Sequence, residues 1–206
     1  MKRGKFKFLK LLNEYRSLNY ELEYIQEVLR EGHQEFEVYY RQWCAENNVD
    51  LNELNKRNQR KVDMIFIEEK SHKIKEDIAV KEFKEERKEE KNFKDIFKSV
   101  ARKLHPDTLR EDDPRKEEYE EAFKKAVGAN EDGRWGDLFD VVEHYKIPLK
   151  DYKDPIKCLE FDIEKIKRKI DKEKGTYSWL LHEAETEQQK ENVVKKFLNH
   201  LFGWRG

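Results

Sequence analysis

A seven-residue spacing of apolar side chains is the feature that most constrains the fold of this chain. Near the N-terminus it runs in steps of 4-3-4-3-4, through Leu11, Tyr15, Leu18, Leu22, Ile25 and Leu29. Near the C-terminus it runs in steps of 3-4-3-4, through Ile156, Leu159, Ile163, Ile166 and Ile170. Each run predicts a long helix with one coiled-coil face. The spacing alone leaves open whether these faces pair within one chain or between chains.

Composition favours a folded helical protein over a disordered one. Charged residues make up 43% of the 206 residues, but aromatic residues reach 12% and the formal net charge is only −1. Disordered chains combine few aromatic residues with a large net charge. No stretch alternates between polar and apolar residues as a strand does. We therefore expect an all-α fold, and the balanced charge gives no long-range attraction to nucleic acid or to an anionic membrane.

Changes of pattern along the chain predict four segments. These are N-terminal coiled-coil helices over 1–48, a charged helical connector over 49–91, a helical unit over 92–147, and a C-terminal helical coiled coil or hairpin over 148–206. Within the first segment, Gly32 is a point where the long helix could be interrupted.

Local signals predict several helix ends. Asp50 and Asp113 are expected to cap the N-termini of two helices, the second with Pro114 in its first turn. Gly128 and Gly203 are expected to end two others, because glycine is the favoured residue just after a helix.

The sequence predicts a cytoplasmic protein without a membrane segment. The basic N-terminus is followed by an apolar stretch that Lys7 and Lys10 break, unlike a secretory signal. The longest apolar run, residues 64–67, is far too short to cross a bilayer. Cys44 and Cys158 are isolated in the sequence, so they form no zinc motif.

The strongest functional signal is an amphipathic helix that leads into His105-Pro106-Asp107. Its apolar stripe consists of Phe93, Ile96, Phe97, Val100 and Leu104. Its opposite side carries Arg87, Lys91, Lys94, Lys98 and Arg102. Because proline disfavours helix in the residue before it, the helix should end before Pro106. Between Lys91 and Asp107 there are five basic and two acidic residues, a local net charge of +3.

This segment resembles the J-domain of the DnaJ-type co-chaperones. Residues 96–107, Ile-Phe-Lys-Ser-Val-Ala-Arg-Lys-Leu-His-Pro-Asp, are similar to the family's Ala-Tyr-Arg-Lys-Leu-Ala-x-Lys-Tyr-His-Pro-Asp. Tyr119, Ala122 and Ala126 match the packing face of the family's return helix. The resemblance covers about residues 92–127 and makes the 92–147 unit J-domain-like.

The resemblance implies a divergent helical hairpin with the tripeptide in its connecting loop, flanked by long coiled-coil helices. It also implies a co-chaperone that docks on a DnaK-type ATPase chaperone and stimulates ATP hydrolysis by that partner. The residues expected to bind the chaperone are His105, Pro106, Asp107, Lys94, Lys98, Arg102 and Lys103. The flanking helices would bind a client protein or form a homo-oligomer.

Other functional classes receive less support from the sequence. No glycine-rich phosphate loop, nucleophile–base pattern or ligand-like histidine spacing occurs, so we expect no enzyme activity, no catalytic residue, no cofactor and no metal. The basic helix face lacks interleaved exposed aromatic residues and is a poor nucleic-acid footprint. The alternative that stays open is a structural assembly protein, in which the coiled-coil helices carry the function and an inactive J-like fold keeps the tripeptide only as a turn.

Overall fold

The chain is helical, as the sequence predicts, and this confirms the all-α class. A computed structural model describes residues 2–56, 91–108, 110 and 112–205, with the backbone alone at 2 and 91–94, and these residues contain no strand. The helices are α1 (Lys2–Glu46), α2 (residues 51–56), α3 (Lys91–Leu104), α4 (Lys116–Asp132), α5 (Trp135–His144), α6 (Lys153–Lys174), α7 (Tyr177–His182) and α8 (Glu187–Phe202), with a 3-10 turn at Pro106–Thr108. Most of the predicted connector over 49–91 lies outside the described residues.

The described residues fall into two compact units. The first comprises residues 2–19 and 91–167, and the second comprises residues 20–56 and 168–205. Helices α1 and α6 contribute to both units. The division of the sequence into four segments stays a prediction.

Helix α5 forms the centre of the first unit. Six of its ten residues are buried, namely Trp135, Gly136, Leu138, Phe139, Val141 and Val142. Phe8 of α1 meets Phe139 edge-on, with ring centroids 5.6 Å apart. The N-terminus of α5 is capped from α6, because the buried carboxylate of Asp162 accepts a hydrogen bond from the backbone N–H of Gly136 at 2.8 Å. A buried carboxylate needs such donors to offset its lost hydration.

Helices α1 and α6 run in the same direction within the first unit, with matching heptad positions in contact. Ion pairs between these helices include Lys7–Glu160 (2.7 Å), Glu14–Lys167 (2.7 Å) and, in the second unit, Glu21–Lys174 (2.5 Å). Each pair joins residues 153 apart in sequence, and successive pairs are seven residues apart on both helices. Exposed pairs of this kind add little stability, but their regular spacing shows that the register follows the heptads.

The predicted coiled-coil face of α1 is confirmed at four of its six residues. Tyr15, Leu22, Ile25 and Leu29 are buried, whereas Leu11 and Leu18 are only half-buried. Within the first unit, Phe8 continues this spacing and is buried, and Leu12 is buried beside the half-buried Leu11. Buried residues of this face have their partners inside the chain.

Gly32 does not interrupt α1, which continues to Glu46. It is buried, and a Cβ at this position would lie 4.0 Å from the Cβ of Ser178 in α7. This is an ordinary van der Waals distance, so the approach of α7 to α1 leaves room for a small side chain at this position.

The core of the second unit brings the end of α1 together with α8. Trp43 and Cys44 pack with Val194, Leu198 and Phe202, and this cluster is surrounded by half-buried aromatic side chains.

Within the described part of the chain, no helix is both long enough and apolar enough to cross a membrane.

Two of the predicted helix ends are confirmed and two are wrong. Asp50 Oδ1 accepts hydrogen bonds from the N–H groups that follow it, and Gly203 ends α8 with φ 66°. Gly128 lies inside α4, which ends instead at Gly133, also with φ 66°. Asp113 closes a turn before α4 by accepting from the backbone N–H of the residue two positions later, so the helix starts only at Lys116.

Candidate partner-binding site at the end of helix α3

The tripeptide lies in a tight turn that directly follows α3. The helix ends at Leu104, a fully buried residue, and the backbone N–H of His105 still bonds to the carbonyl of Ala101 at 2.9 Å. The carbonyl of His105 then accepts from the backbone N–H of Thr108 at 2.9 Å and from its hydroxyl at 2.6 Å. Pro106 cannot donate from its nitrogen and fixes the turn of the backbone. The sequence prediction that this proline stops the helix is confirmed.

His105 is held on two sides. Its ring meets the ring of Phe123 in α4 edge-on, with centroids 5.0 Å apart. Its Nδ1 atom accepts a hydrogen bond from the backbone N–H of Asp107 at 3.3 Å. In the neutral tautomer in which Nδ1 accepts this bond, the proton lies on Nε2. With 43% of its side chain exposed, His105 can present Nε2–H of this tautomer to a partner.

The carboxylate of Asp107 is the most accessible charged group of the turn. Its side chain is 87% exposed, and one of its carboxylate oxygens lies 3.4 Å from Nδ1 of His105. No lysine or arginine pairs with it in the described part of the chain. Asp113 in the same loop differs, because Arg115 binds its carboxylate and holds its pKa at about 2. An exposed carboxylate can accept two parallel hydrogen bonds from a partner's guanidinium group.

The predicted basic residues of α3 differ in their surroundings. Arg102 is exposed and has no acidic partner among the described residues. Lys98 is exposed, with its Nζ atom 4.0 Å from the carboxylate of Asp95. Lys103, in contrast, donates from Nζ to the backbone carbonyl of Tyr145 at 2.5 Å. Arg102 and Lys98 are thus accessible to a partner, whereas Lys103 makes a contact within the chain. The side chain of Lys94 lies outside the described atoms.

Helix α4 covers the apolar side of α3. The ring of Phe97 stacks on the ring of Phe123, with centroids 6.3 Å apart and planes 26° apart. Of the residues that the sequence assigned to the packing face of α4, Ala126 is fully buried, while Tyr119 and Ala122 are half-buried. Phe123 therefore contacts both the stripe of α3 and the imidazole of the tripeptide.

Tyr145 and Glu118, which no sequence motif marks, also shape this site. Tyr145 follows α5, and its hydroxyl donates to the carboxylate of Glu118 in the first turn of α4 at 2.8 Å. Burial and this hydrogen bond raise the pKa of Tyr145 to about 12, so the phenol remains a donor at neutral pH. No signal in the sequence connects Tyr145 with a glutamate 27 residues away.

Comparison with protein families, curated proteins and solved structures finds no match to this chain. The likeness to a J-domain therefore depends on the residues and contacts around His105. Among the described residues, no group of histidine, cysteine or acidic side chains is arranged to hold a metal ion.

Proposed function

We propose that this protein is a cytoplasmic, J-domain-like co-chaperone that docks on a DnaK-type chaperone and stimulates its ATPase. The observation that carries the proposal is the exposed carboxylate of Asp107, set in a fixed turn at the end of an amphipathic helix. In this proposal α3 and α4 act as the J-like hairpin, and ATP is bound and hydrolysed by the partner.

Each part of the site has a separate chemical role in the proposal. Asp107 accepts hydrogen bonds from an arginine of the chaperone, and His105 donates from Nε2 to the same surface. Pro106 keeps the two side chains in a constant relative position. Lys98 and Arg102, both exposed on α3, supply positive charge for an acidic surface and increase the rate of encounter.

The test is single-turnover ATP hydrolysis by a panel of DnaK-type chaperones, including the host's, with and without this protein. Wild type should stimulate at least one of them, and His105→Gln should abolish that stimulation. His182→Gln is the matched control, since this exposed histidine lies in α7, away from the turn in sequence. Equal stimulation by wild type and His105→Gln contradicts the role of the tripeptide.

A second candidate function is assembly through the long helices, with an inactive J-like fold. Exposed aromatic residues of α1 favour it, since the side chains of Tyr20 and Tyr24 are 72% and 58% exposed, and exposed tyrosines are common in protein interfaces. The buried heptad residues are already covered within the chain, so an oligomer would use a surface such as this one. A monomer in sedimentation at working concentration would contradict the assembly function in its homo-oligomeric form.

A further inference from the structure

We propose that Lys103 is a positioning residue, which braces the tripeptide turn through α5 instead of contacting the chaperone. The effect of Lys103 on chaperone stimulation rests on the proposed function. Its contact with α5 can be tested without a partner. It assigns Lys103 a different task from that of Arg102, the residue next to it, although the sequence groups both as docking cations.

The contact that carries the inference lies between the last turn of α3 and the residue after α5. Lys103 Nζ donates to the carbonyl of Tyr145 at 2.5 Å, across 42 residues of sequence. Carbonyl groups at the C-terminus of a helix have no intrahelical donor, and the helix dipole places partial negative charge there. A lysine ammonium group meets both requirements. Lys103 is two residues before His105, so this bond holds α3 where the turn begins.

The acceptor is itself fixed. The hydroxyl of Tyr145 bonds to Glu118 at 2.8 Å, and its ring meets the ring of Tyr119 edge-on, with centroids 5.2 Å apart. Glu118 and Tyr119 lie near the start of α4, where the chain leaves the tripeptide loop. Lys103 thus joins the helix entering the loop to the helix leaving it, through Tyr145. We call this set of contacts the Lys103 brace.

The end of α5 presents this carbonyl through a specific backbone geometry. The N–H of Ile147 bonds to the carbonyl of Val142 at 2.8 Å, and Lys146 between them has φ 52°. This is the left-handed termination that closes many helices, although glycine is the usual residue at its turning position. In such a terminus the C-terminal carbonyl groups still need outside donors, and Lys103 provides one.

The first experiment measures the brace alone, by amide hydrogen exchange in the full-length protein. Lys103→Met keeps the apolar stem but removes the ammonium group, and it should raise the exchange rate of the Thr108 amide about fivefold, the factor that corresponds to one net hydrogen bond. Lys103→Arg, which can still donate, should restore slow exchange. Arg102→Met should leave the rate unchanged. An unchanged rate in Lys103→Met, with the same circular dichroism as wild type, would overturn the brace.

The second experiment separates positioning from docking in the ATPase assay. Lys103→Met should lower the maximal stimulation with little change in the concentration that gives half of it, whereas Arg102→Met should raise that concentration. Tyr145→Phe, which removes only the hydroxyl bond to Glu118, should resemble Lys103→Met in a weaker form. If Lys103→Met instead behaves like Arg102→Met, Lys103 is a docking residue and the inference fails. If wild type stimulates no chaperone while the exchange result holds, the brace stands and the proposed function fails.

Discussion

Phe123 of α4 supports the imidazole of His105 edge-on, at a centroid distance of 5.0 Å. The same ring stacks on Phe97 of α3, so a single side chain links the core of the helix pair to the residue proposed to face a partner. The position of His105 therefore depends on packing as well as on the hydrogen bond from Asp107. Removing the ring of Phe123 changes no charge at the surface. The contribution of packing to the position of His105 can therefore be measured separately from electrostatic effects.

Replacing Phe123 by alanine should lower both stability and activity. The free energy of unfolding should fall by about 1–3 kcal/mol, less than for a fully buried phenylalanine, because the ring is only half-buried. Stimulation of the chaperone should fall further than stability alone explains, since His105 loses one of its two supports. Urea unfolding and single-turnover ATPase measure the two effects. Lys124→Ala, at an exposed neighbouring position, is the control and should change the free energy of unfolding by less than about 0.5 kcal/mol. If Phe123→Ala changes it as little, the packing role of Phe123 is contradicted.

Two helical glycines should respond in opposite directions to alanine. A Cβ on Gly136 would overlap the ring of Tyr15, whereas a Cβ on Gly128 would have only ordinary contact with Arg134, at 3.8 Å. Gly136→Ala should therefore destabilise by about 1–3 kcal/mol through overpacking. Gly128→Ala, in the interior of α4, should stabilise by about 0.5–1 kcal/mol. Thermal unfolding of the two variants decides this, and a stabilising Gly136→Ala would show that α1 does not approach α5 so closely.

The hydroxyl of Tyr15 should make stability sensitive to alkaline pH. It donates to Asp137 at 2.7 Å, and burial followed by this hydrogen bond raises the pKa of Tyr15 well above its usual value. The unfolded phenol titrates near pH 10, so the contribution is complete below about pH 10 and is lost as the pH rises beyond it. Tyr15→Phe should be less stable than wild type at pH 8, and the difference should shrink by pH 11–12. A constant difference across urea titrations at these pH values would exclude this linkage.

Replacing Lys146 by glycine should stabilise the protein. Its φ of 52° places a residue with a side chain in the left-handed region, which costs roughly 1–2 kcal/mol relative to helical backbone and costs glycine little. After allowing for the greater freedom of glycine in the unfolded chain, a gain of about 0.5–1 kcal/mol remains. Asn48→Gly is the control, because asparagine at φ 54° already tolerates this region better. Equal effects of the two substitutions in chemical unfolding would contradict the strain at Lys146.

Sequence spacing predicted the long helices because each one buries a periodic face. The steps of the α1 face identified Tyr15, Leu22, Ile25 and Leu29 as buried residues, and Pro106 marked the end of α3 through its effect on the backbone before it. These are local rules that depend on a few neighbouring residues. They hold here because the buried apolar residues of α1 recur at coiled-coil spacing.

Contacts between distant residues could not be predicted in the same way. The pairing of Lys103 with the carbonyl of Tyr145 depends on where α5 ends, and the capping of α5 by Asp162 depends on the position of α6. Gly128 illustrates the limit within one helix. Glycine often ends helices, but here the left-handed residue is Gly133, five positions later, so helix α4 continues through the earlier glycine.

The most direct test of the central proposal compares two aspartates of the same loop. Asp107 and Asp112 are both exposed, and each can be changed to asparagine with no change in size. In single-turnover ATP hydrolysis by a DnaK-type chaperone that wild type stimulates, Asp112→Asn should match wild type and Asp107→Asn should stimulate at least tenfold less, the factor of about 1.4 kcal/mol expected for a lost charge-assisted hydrogen bond. Full stimulation by Asp107→Asn would contradict the account.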